Sequence, residues 1–203
     1  METNNNKTAS IRELGKVNIK QLLEKLKLLT NKDWDTEEDF NANYNKRPKS
    51  ALNSTQHIIL RFSNKQTIPF QYTSYTKWEE FRPILLPILE EATKPYAYEK
   101  GVYTRVMLAK LSPKSFISPH TDGDKTGSIP HKIHIPLQTN EGAFFYVDGI
   151  KYHLKAGEAY EVNNAAVHSA ANGGNTDRIH LIFEYLNFNE QSAIIQEQIN
   201  QQY

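Results

Sequence analysis

The stretch Ala143-Phe144-Phe145-Tyr146-Val147-Asp148-Gly149-Ile150-Lys151-Tyr152-His153-Leu154 decides the fold class. Two runs of aromatic and β-branched residues flank an Asp-Gly pair. Asp-Gly supplies the two positive-φ positions of a tight hairpin turn, so the segment reads as two paired strands. Working outward, the same period of two recurs in Tyr103–Leu111, Lys132–Leu137, Ala159–Val162, Val167–Ala170 and Arg178–Leu186. Turn residues separate these strands at Lys155-Ala156-Gly157-Glu158 and Asn172-Gly173-Gly174-Asn175. Upstream the period changes. Val17–Thr30 places Leu22, Leu23, Leu26 and Leu29 on one helical stripe, and Trp78–Thr93 does so with Trp78, Phe81, Leu85, Ile88 and Leu89. Thr76 and Glu79 have capping-box spacing, and Pro87 is expected to kink or split the second helix. Asn31–Ser54 reads as an irregular connection and His57–Phe62 as a short strand. Helices followed by short antiparallel strands predict a mainly β fold, a sandwich or jelly roll braced by N-terminal α-helices. The expected layout is one domain over 1–203, with helical support over about 11–95, a β core over about 100–188 and a tail over 189–203.

Composition narrows the chemistry. The net charge is +1 with scattered Lys and Arg, so no polyanion footprint is present and nucleic acid is not an expected partner. There are no cysteines, which leaves His and carboxylate as the only strong metal ligands. Met1–Ser10 lacks the apolar core of a signal peptide, and no apolar run approaches the ~20 residues of a membrane span. A cytoplasmic protein without membrane contact is expected.

The chemistry concentrates at Pro119-His120-Thr121-Asp122-Gly123. Residues two apart on a strand share a face, so His120 and Asp122 can grip one ion. His168, in Ala165-Ala166-Val167-His168-Ser169, can supply a third ligand from another strand. Two imidazoles and one carboxylate on one side of an octahedron form the facial triad of non-haem iron oxygenases, which leaves positions open for a chelating cosubstrate and O₂. Arg178 follows ten residues after His168, with Asn172-Gly173-Gly174 between them. If that turn closes a hairpin, His168 and Arg178 share a face, and the guanidinium suits a bidentate grip on a dicarboxylate. The alternative is an ordinary salt bridge from Arg178 to Asp177 or Glu184.

These residues resemble the aspartyl/asparaginyl β-hydroxylase family, which includes free-proline hydroxylases. The match runs over His120-Thr121-Asp122, Lys132-Ile133-His134-Ile135-Pro136-Leu137, His168, Asn172-Gly173 and Arg178-Ile179-His180-Leu181-Ile182-Phe183-Glu184. The resemblance implies a cupin-like double-stranded β-helix, Fe(II), 2-oxoglutarate and O₂. It further implies hydroxylation of an unactivated C–H bond in a free amino acid or a peptide residue, releasing succinate and CO₂. It implies that His120, Asp122 and His168 hold iron, that Arg178 anchors the distal carboxylate of 2-oxoglutarate, and that His134 contacts the cosubstrate. Lys132 stands where many members carry Arg and is expected to hold a carboxylate beside His134. Asp122 is a carboxylate that the animal peptide-hydroxylating branch has lost, which favours the bacterial small-substrate branch. Ala109 replaces a serine that contacts the cosubstrate in some members.

Other residues carry weaker signals. His57 is expected to be packed or exposed, His131 exposed, His153 a wall residue, and His180 a neighbour that orients Arg178. Asp124 is a poorer ligand candidate than Asp122. Arg47, Arg61, Arg105 and Lys132 are the cations open to a substrate carboxylate, while Tyr103, Phe116, Phe144 and Phe145 read as core. Two rival functions stand: a cupin metalloenzyme that uses no 2-oxoglutarate, and a non-catalytic jelly-roll binding or sensor domain. Arg178 separates the first rival, which has no need of a dicarboxylate anchor there.

Overall fold

The computed structural model describes residues 9–42, 54–63, 71–122 and 130–189. Among them the chain begins β1 (Ile11–Lys16), α1 (Lys20–Lys27), α2 (Glu37–Ala42), β2 (Thr55–Ser63), β3 (Tyr72–Ser74) and α3 (Lys77–Thr93). It continues with β4 (Gly101–Leu111), β5 (Ser115–His120), β6 (His131–Gln138), β7 (Ala143–Val147) and β8 (Ile150–Tyr152). The last strands are β9 (Glu158–Val162), β10 (His168–Asn172) and β11 (Arg178–Asn187). They build a seven-stranded sheet, ordered β1-β9-β6-β11-β4-β2-β3, and a four-stranded sheet, ordered β5-β10-β7-β8. From β4 onward the chain shuttles between them: β4, β6, β9 and β11 lie in the large sheet, and β5, β7, β8 and β10 in the small one. This winding is the double-stranded β-helix. No described helix is long and apolar enough to cross a membrane.

Strand alternation divides the large sheet into two unlike faces. Leu22 of α1 and Phe81, Leu85 and Leu89 of α3 pack on Ile133, Ile135, Ile179, Leu181 and Phe183, all in one apolar cluster. The residues between them on β11, namely Arg178, His180, Ile182 and Glu184, therefore face the small sheet. Phe145, Val147 and Ala170 of the small sheet meet Leu111, Tyr160 and Val162 of the large sheet in a second cluster inside the sandwich. With helices on one side and a second sheet on the other, β11 is buried along almost its whole length.

Several local expectations change. The first helix is confined to α1, shorter than Val17–Thr30. Pro87 does not split α3, which is a single helix of 17 residues that also contains Pro83. The two prolines are four apart and both exposed, so the carbonyls they leave unbonded lie on one face open to water. Thr76 makes no capping bond within α3; its hydroxyl and amide instead donate to Glu38 of α2. The segment Asn31–Ser54, read as irregular, contains that helix. Strands β1 and β3 also lie outside the sequence reading. The Asp148-Gly149 hairpin is present, with φ of 49° and 77° and Val147 paired to Ile150.

The largest correction concerns His168 and Arg178. Their strands do not form a hairpin. β10 pairs with β5 and β7 in the small sheet, whereas β11 pairs with β4 and β6 in the large one. The Asn172-Gly173-Gly174 turn carries the chain across the sandwich, so Arg178 and His168 come from opposite sheets. Fully buried Asn172 pins this crossing. Its amide donates to the carbonyls of Leu111 (2.9 Å) and Thr176 (2.8 Å), and its oxygen accepts from the Asn140 side chain at 3.0 Å. Glycine is needed where the strands approach closely beside it, because a Cβ on Gly142 would lie 2.5 Å from the backbone nitrogen of Gly174. Asn172→Ala strands these groups without partners and is expected to lower unfolding stability by about 1–3 kcal/mol. Urea denaturation measures it, and an unchanged midpoint would remove Asn172 as the pin.

Candidate metal centre

Antiparallel pairing of β5 with β10 sets His120 opposite His168, with ring centroids 4.4 Å apart. Asp122 follows β5 by two residues and is tethered by its amide, which donates to the Asn164 carbonyl at 3.1 Å. Its Oδ1 lies 4.0 Å from His120 Nε2 and 3.6 Å from His168 Nε2. One ligand atom from each of the three residues lies within 4.8 Å of the others. Adjacent positions of an octahedron with bonds of ~2.1 Å are ~3 Å apart, so small side-chain rotations close this set around one ion.

The donor chemistry fits a divalent cation. His120 Nδ1–H donates to the Ser118 carbonyl at 2.8 Å, and His168 Nδ1–H donates to the Ala166 carbonyl at 3.0 Å. A carbonyl only accepts, so both protons are fixed on Nδ1 and both Nε2 lone pairs are left for a metal. Burial pushes the His120 imidazolium below its ordinary pKa, only partly offset by the Ser118 carbonyl. Burial alone would raise Asp122, yet the Lys132 ammonium and His168 outweigh it and hold the carboxyl well below the usual range. Lys132 Nζ donates directly to Asp122 Oδ2, leaving Oδ1 on the histidine side.

Behind the triad lies a ladder of rings. Phe145 stacks on His168 at 5.9 Å and meets His134 edge-on at 5.3 Å; His134 in turn meets His180 at 5.7 Å. Arg178 Nη2 donates to His180 Nδ1 at 3.2 Å. Both histidines are fully enclosed. Burial, with nearby Lys132 and Arg178 acting on His134 and Arg178 on His180, keeps them neutral, well below the ordinary histidine value. Neither ring nitrogen of His134 has a hydrogen-bond partner among the described residues.

Arg178 is 4% exposed and forms no salt bridge to a carboxylate among the described residues. Burial alone lowers its guanidinium to about 10. The salt bridge weighed for it with Glu184 is made by Arg105 instead, at 3.3 Å. A buried cation without a counterion is costly, and a bound anion relieves that cost.

The structure thus brings His120, Asp122, His168, Lys132, His134 and Arg178 to one region and adds Phe145, which reads as core in the sequence. His131 is not exposed as expected. It is half-buried between the Glu161 carboxylate (2.6 Å) and the Tyr98 hydroxyl (2.5 Å). His57 is buried on β2 beside Thr55, and His153 bonds the Ala143 carbonyl against Phe144, away from the triad. Arg61 lies over Trp78 on the helical side, not in the sandwich. Arg47, Asp124 and the tail residues 190–203 lie outside the described residues.

Two solved structures share the fold. The first is AviO1 from Streptomyces viridochromogenes Tue57, at TM-score 0.52 and 14% identity, covering 88% of this chain and 90% of that one. The second is a 2OG-Fe(II) oxygenase family oxidoreductase from Burkholderia pseudomallei, at TM-score 0.52 and 14% identity, covering 66% of each chain. The L-proline cis-4-hydroxylase of Rhizobium meliloti (strain 1021) is 29% identical over 101 residues, which span 49% of this chain and 35% of that protein. The aspartyl/asparaginyl β-hydroxylase family model matches residues 18–187, which include β5, β6, β10 and β11 whole, and the chain belongs to that family.

Proposed function

We propose that this protein is an iron(II)- and 2-oxoglutarate-dependent hydroxylase of an amino-acid-type substrate, its three ligands being His120, Asp122 and His168. The observation that carries this reading is Arg178, a guanidinium buried on the inner face with no carboxylate partner among the described residues. A cupin metalloenzyme that uses no dicarboxylate has no reason to keep an unpaired cation there, and neither has a binding domain that lost its chemistry. Iron(II), held by His120, Asp122 and His168, would supply the redox chemistry that couples conversion of 2-oxoglutarate and O₂ to succinate and CO₂ with hydroxylation of a substrate C–H bond.

The chain's own residues position the reactants. Arg178 takes the distal carboxylate of 2-oxoglutarate through a charge-assisted, bidentate contact. His180 accepts one guanidinium N–H and so fixes the fork's orientation. Neutral His134 has one N–H to give and no acceptor for it among the described residues, which suits a cosubstrate oxygen. Phe145 walls the space between His168 and His134 and excludes water. Lys132 neutralises the second oxygen of Asp122 and keeps that carboxylate ionised at neutral pH. The presence of Asp122 and the likeness to the proline hydroxylase relative support a small amino-acid-type substrate.

Two predictions test this. Asp122→Ala is expected to lower 2-oxoglutarate turnover at least about a hundredfold, because the metal loses its only carboxylate ligand; succinate release under saturating Fe(II) measures it. Turnover near that of the unaltered protein would remove the triad from the chemistry. Arg178→Met is expected to separate function from stability. The Michaelis constant for 2-oxoglutarate should rise at least about tenfold. The folded state should gain about 1–2 kcal/mol, because a depressed guanidinium pKa means that burial disfavours the charge carried at neutral pH. A less stable variant with an unchanged requirement for 2-oxoglutarate would mean that Arg178 is structural.

A further inference from the structure

A second cluster of polar and aromatic groups lies on the helical face of the large sheet, directly behind Lys132. His131 and Tyr185 stand opposite each other on β6 and β11. Successive residues of a strand face opposite sides, so His131 points to the helical layer. Its neighbour Lys132, about 3.8 Å away between Cα atoms, bonds Asp122 on the inner face. Four tyrosine rings adjoin His131, all in the apolar cluster beneath α1 and α3. Tyr98 stacks on Tyr185 at 5.4 Å and 18°. Tyr185 meets Tyr103 at 5.1 Å and Tyr96 at 5.6 Å, and Tyr96 lies 4.2 Å from the His131 ring.

The four hydroxyls are not equivalent. Tyr98 O–H donates to His131 Nε2 at 2.5 Å, and His131 Nδ1–H donates to Glu161 Oε1 at 2.6 Å. A carboxylate only accepts, so the imidazole proton sits on Nδ1 and Nε2 is left as a base for the phenol. Arg12 lies 3.6 Å from Glu161 Oε2 and supplies a countercharge. Tyr103 instead shares a hydrogen bond with Thr93 at 3.1 Å. Burial pushes its phenol up to about 12, and holds those of Tyr96 and Tyr185 above the ordinary value. A phenol that loses an electron becomes a very strong acid, so it is oxidised readily only where a base takes its proton in the same step. Among these four rings, the described residues place an imidazole at the hydroxyl of Tyr98.

We infer that Tyr98, with His131 as its proton acceptor, is a redox site that gives up one electron when the metal centre is oxidised with no substrate in place. A centre able to take hydrogen from a C–H bond is a strong one-electron oxidant, and without substrate it attacks the residues around it. The electron leaves the Tyr98 ring, crosses the sheet beside the His131–Lys132 peptide and reduces that centre by one unit. The O–H proton passes to His131 Nε2, and the imidazolium so formed faces the Glu161 carboxylate. A one-electron reductant of the ascorbate type then restores the phenol, which recovers its proton from His131. Neither step needs an opening in the fold, because only an electron and a hydrogen-bonded proton move. The identity of the oxidant rests on the hydroxylase reading; the Tyr98–His131 pair does not.

The first measurement uses the full chain with redox-inert Zn(II) in place of iron. Flash-generated ruthenium(III) tris-bipyridine oxidises it, and the tyrosyl radical is followed by absorbance and electron paramagnetic resonance. A rapid phase is expected that Tyr98→Phe abolishes and Tyr103→Phe leaves in place. His131→Gln should slow that phase at least about a hundredfold, the loss expected when a positioned base is removed. Tyr98→Phe keeps the ring against Tyr185, so its effect is separable from misfolding. Equal rates in the unaltered protein and in Tyr98→Phe would overturn the site. The second measurement supplies Fe(II), 2-oxoglutarate and O₂ without substrate, and maps oxidised residues by peptide mass spectrometry. Oxidation is expected at Tyr98 and its ring neighbours in the unaltered protein, and at Met107 and Phe145 of the interior in Tyr98→Phe. Identical maps would overturn the link to the metal centre. If neither protein consumes 2-oxoglutarate, the hydroxylase reading fails, while the first measurement still decides the redox pair.

Discussion

His120 and His168 face each other because β5 and β10 pair antiparallel, and that backbone ladder is the constraint to which the rest of the centre is referenced. A one-residue slip would turn every side chain of β10 to the opposite face and carry His168 out of the sandwich. The register is held from both sides. β5 lies along one edge of β10, while β7 lies along the other and pairs Val147 with His168. β7 is in turn tied to β8 by the two-residue Asp148-Gly149 turn, whose geometry admits one register. Thus a hairpin that supplies no ligand itself helps decide where an imidazole nitrogen points.

The large sheet separates stability from chemistry by the two-residue period of its strands. On β11, Ile179, Leu181 and Phe183 pack against α1 and α3, while Arg178, His180 and Glu184 turn inward. Buried side chains such as Leu181 and Phe183 are each worth about 2–5 kcal/mol on truncation. The inward residues work against the fold, since burial disfavours charge on Arg178, His134 and His180. The helices explain how the sheet tolerates them: the apolar outer face compensates for the buried polar groups of the inner face.

Much of this was legible in the sequence, and the rest was not for identifiable reasons. The period of two and the Asp-Gly turn yield the β class, and the positions of His120, Asp122 and His168 suggest the cluster that the structure brings together. The path from His168 to Arg178 was misjudged because a Gly-Gly turn between two strands looks alike whether it closes a hairpin or crosses a sandwich. Only the Asn172 contacts to Leu111, Thr176 and Asn140 distinguish the two. Strand β1 was invisible because Ile11–Lys16 buries only Leu14, as an edge strand can. His131 looked exposed because its partners, Tyr98 and Glu161, come from distant parts of the chain. The inward position of Glu184 was readable, since it lies six residues from Arg178 and an even step on a strand keeps the face. Its partner on β4 depended on sheet order, which no local pattern encodes.

Each of the three proposed ligands is held through the atom it does not offer to a metal. The Nδ1–H groups of His120 and His168 both donate to the carbonyl two residues earlier in the chain. The second oxygen of Asp122 is held by Lys132, which arrives on β6 from the opposite sheet. The histidines are therefore oriented by their own strands, while the carboxylate is oriented across the sandwich. Such supports fix ligand direction before any ion arrives, which lowers the reorganisation that binding would otherwise require. A lysine suits this place better than an arginine would. Its compact charge satisfies one oxygen of Asp122 without presenting a planar fork that could grip both and draw the carboxylate away from the histidines.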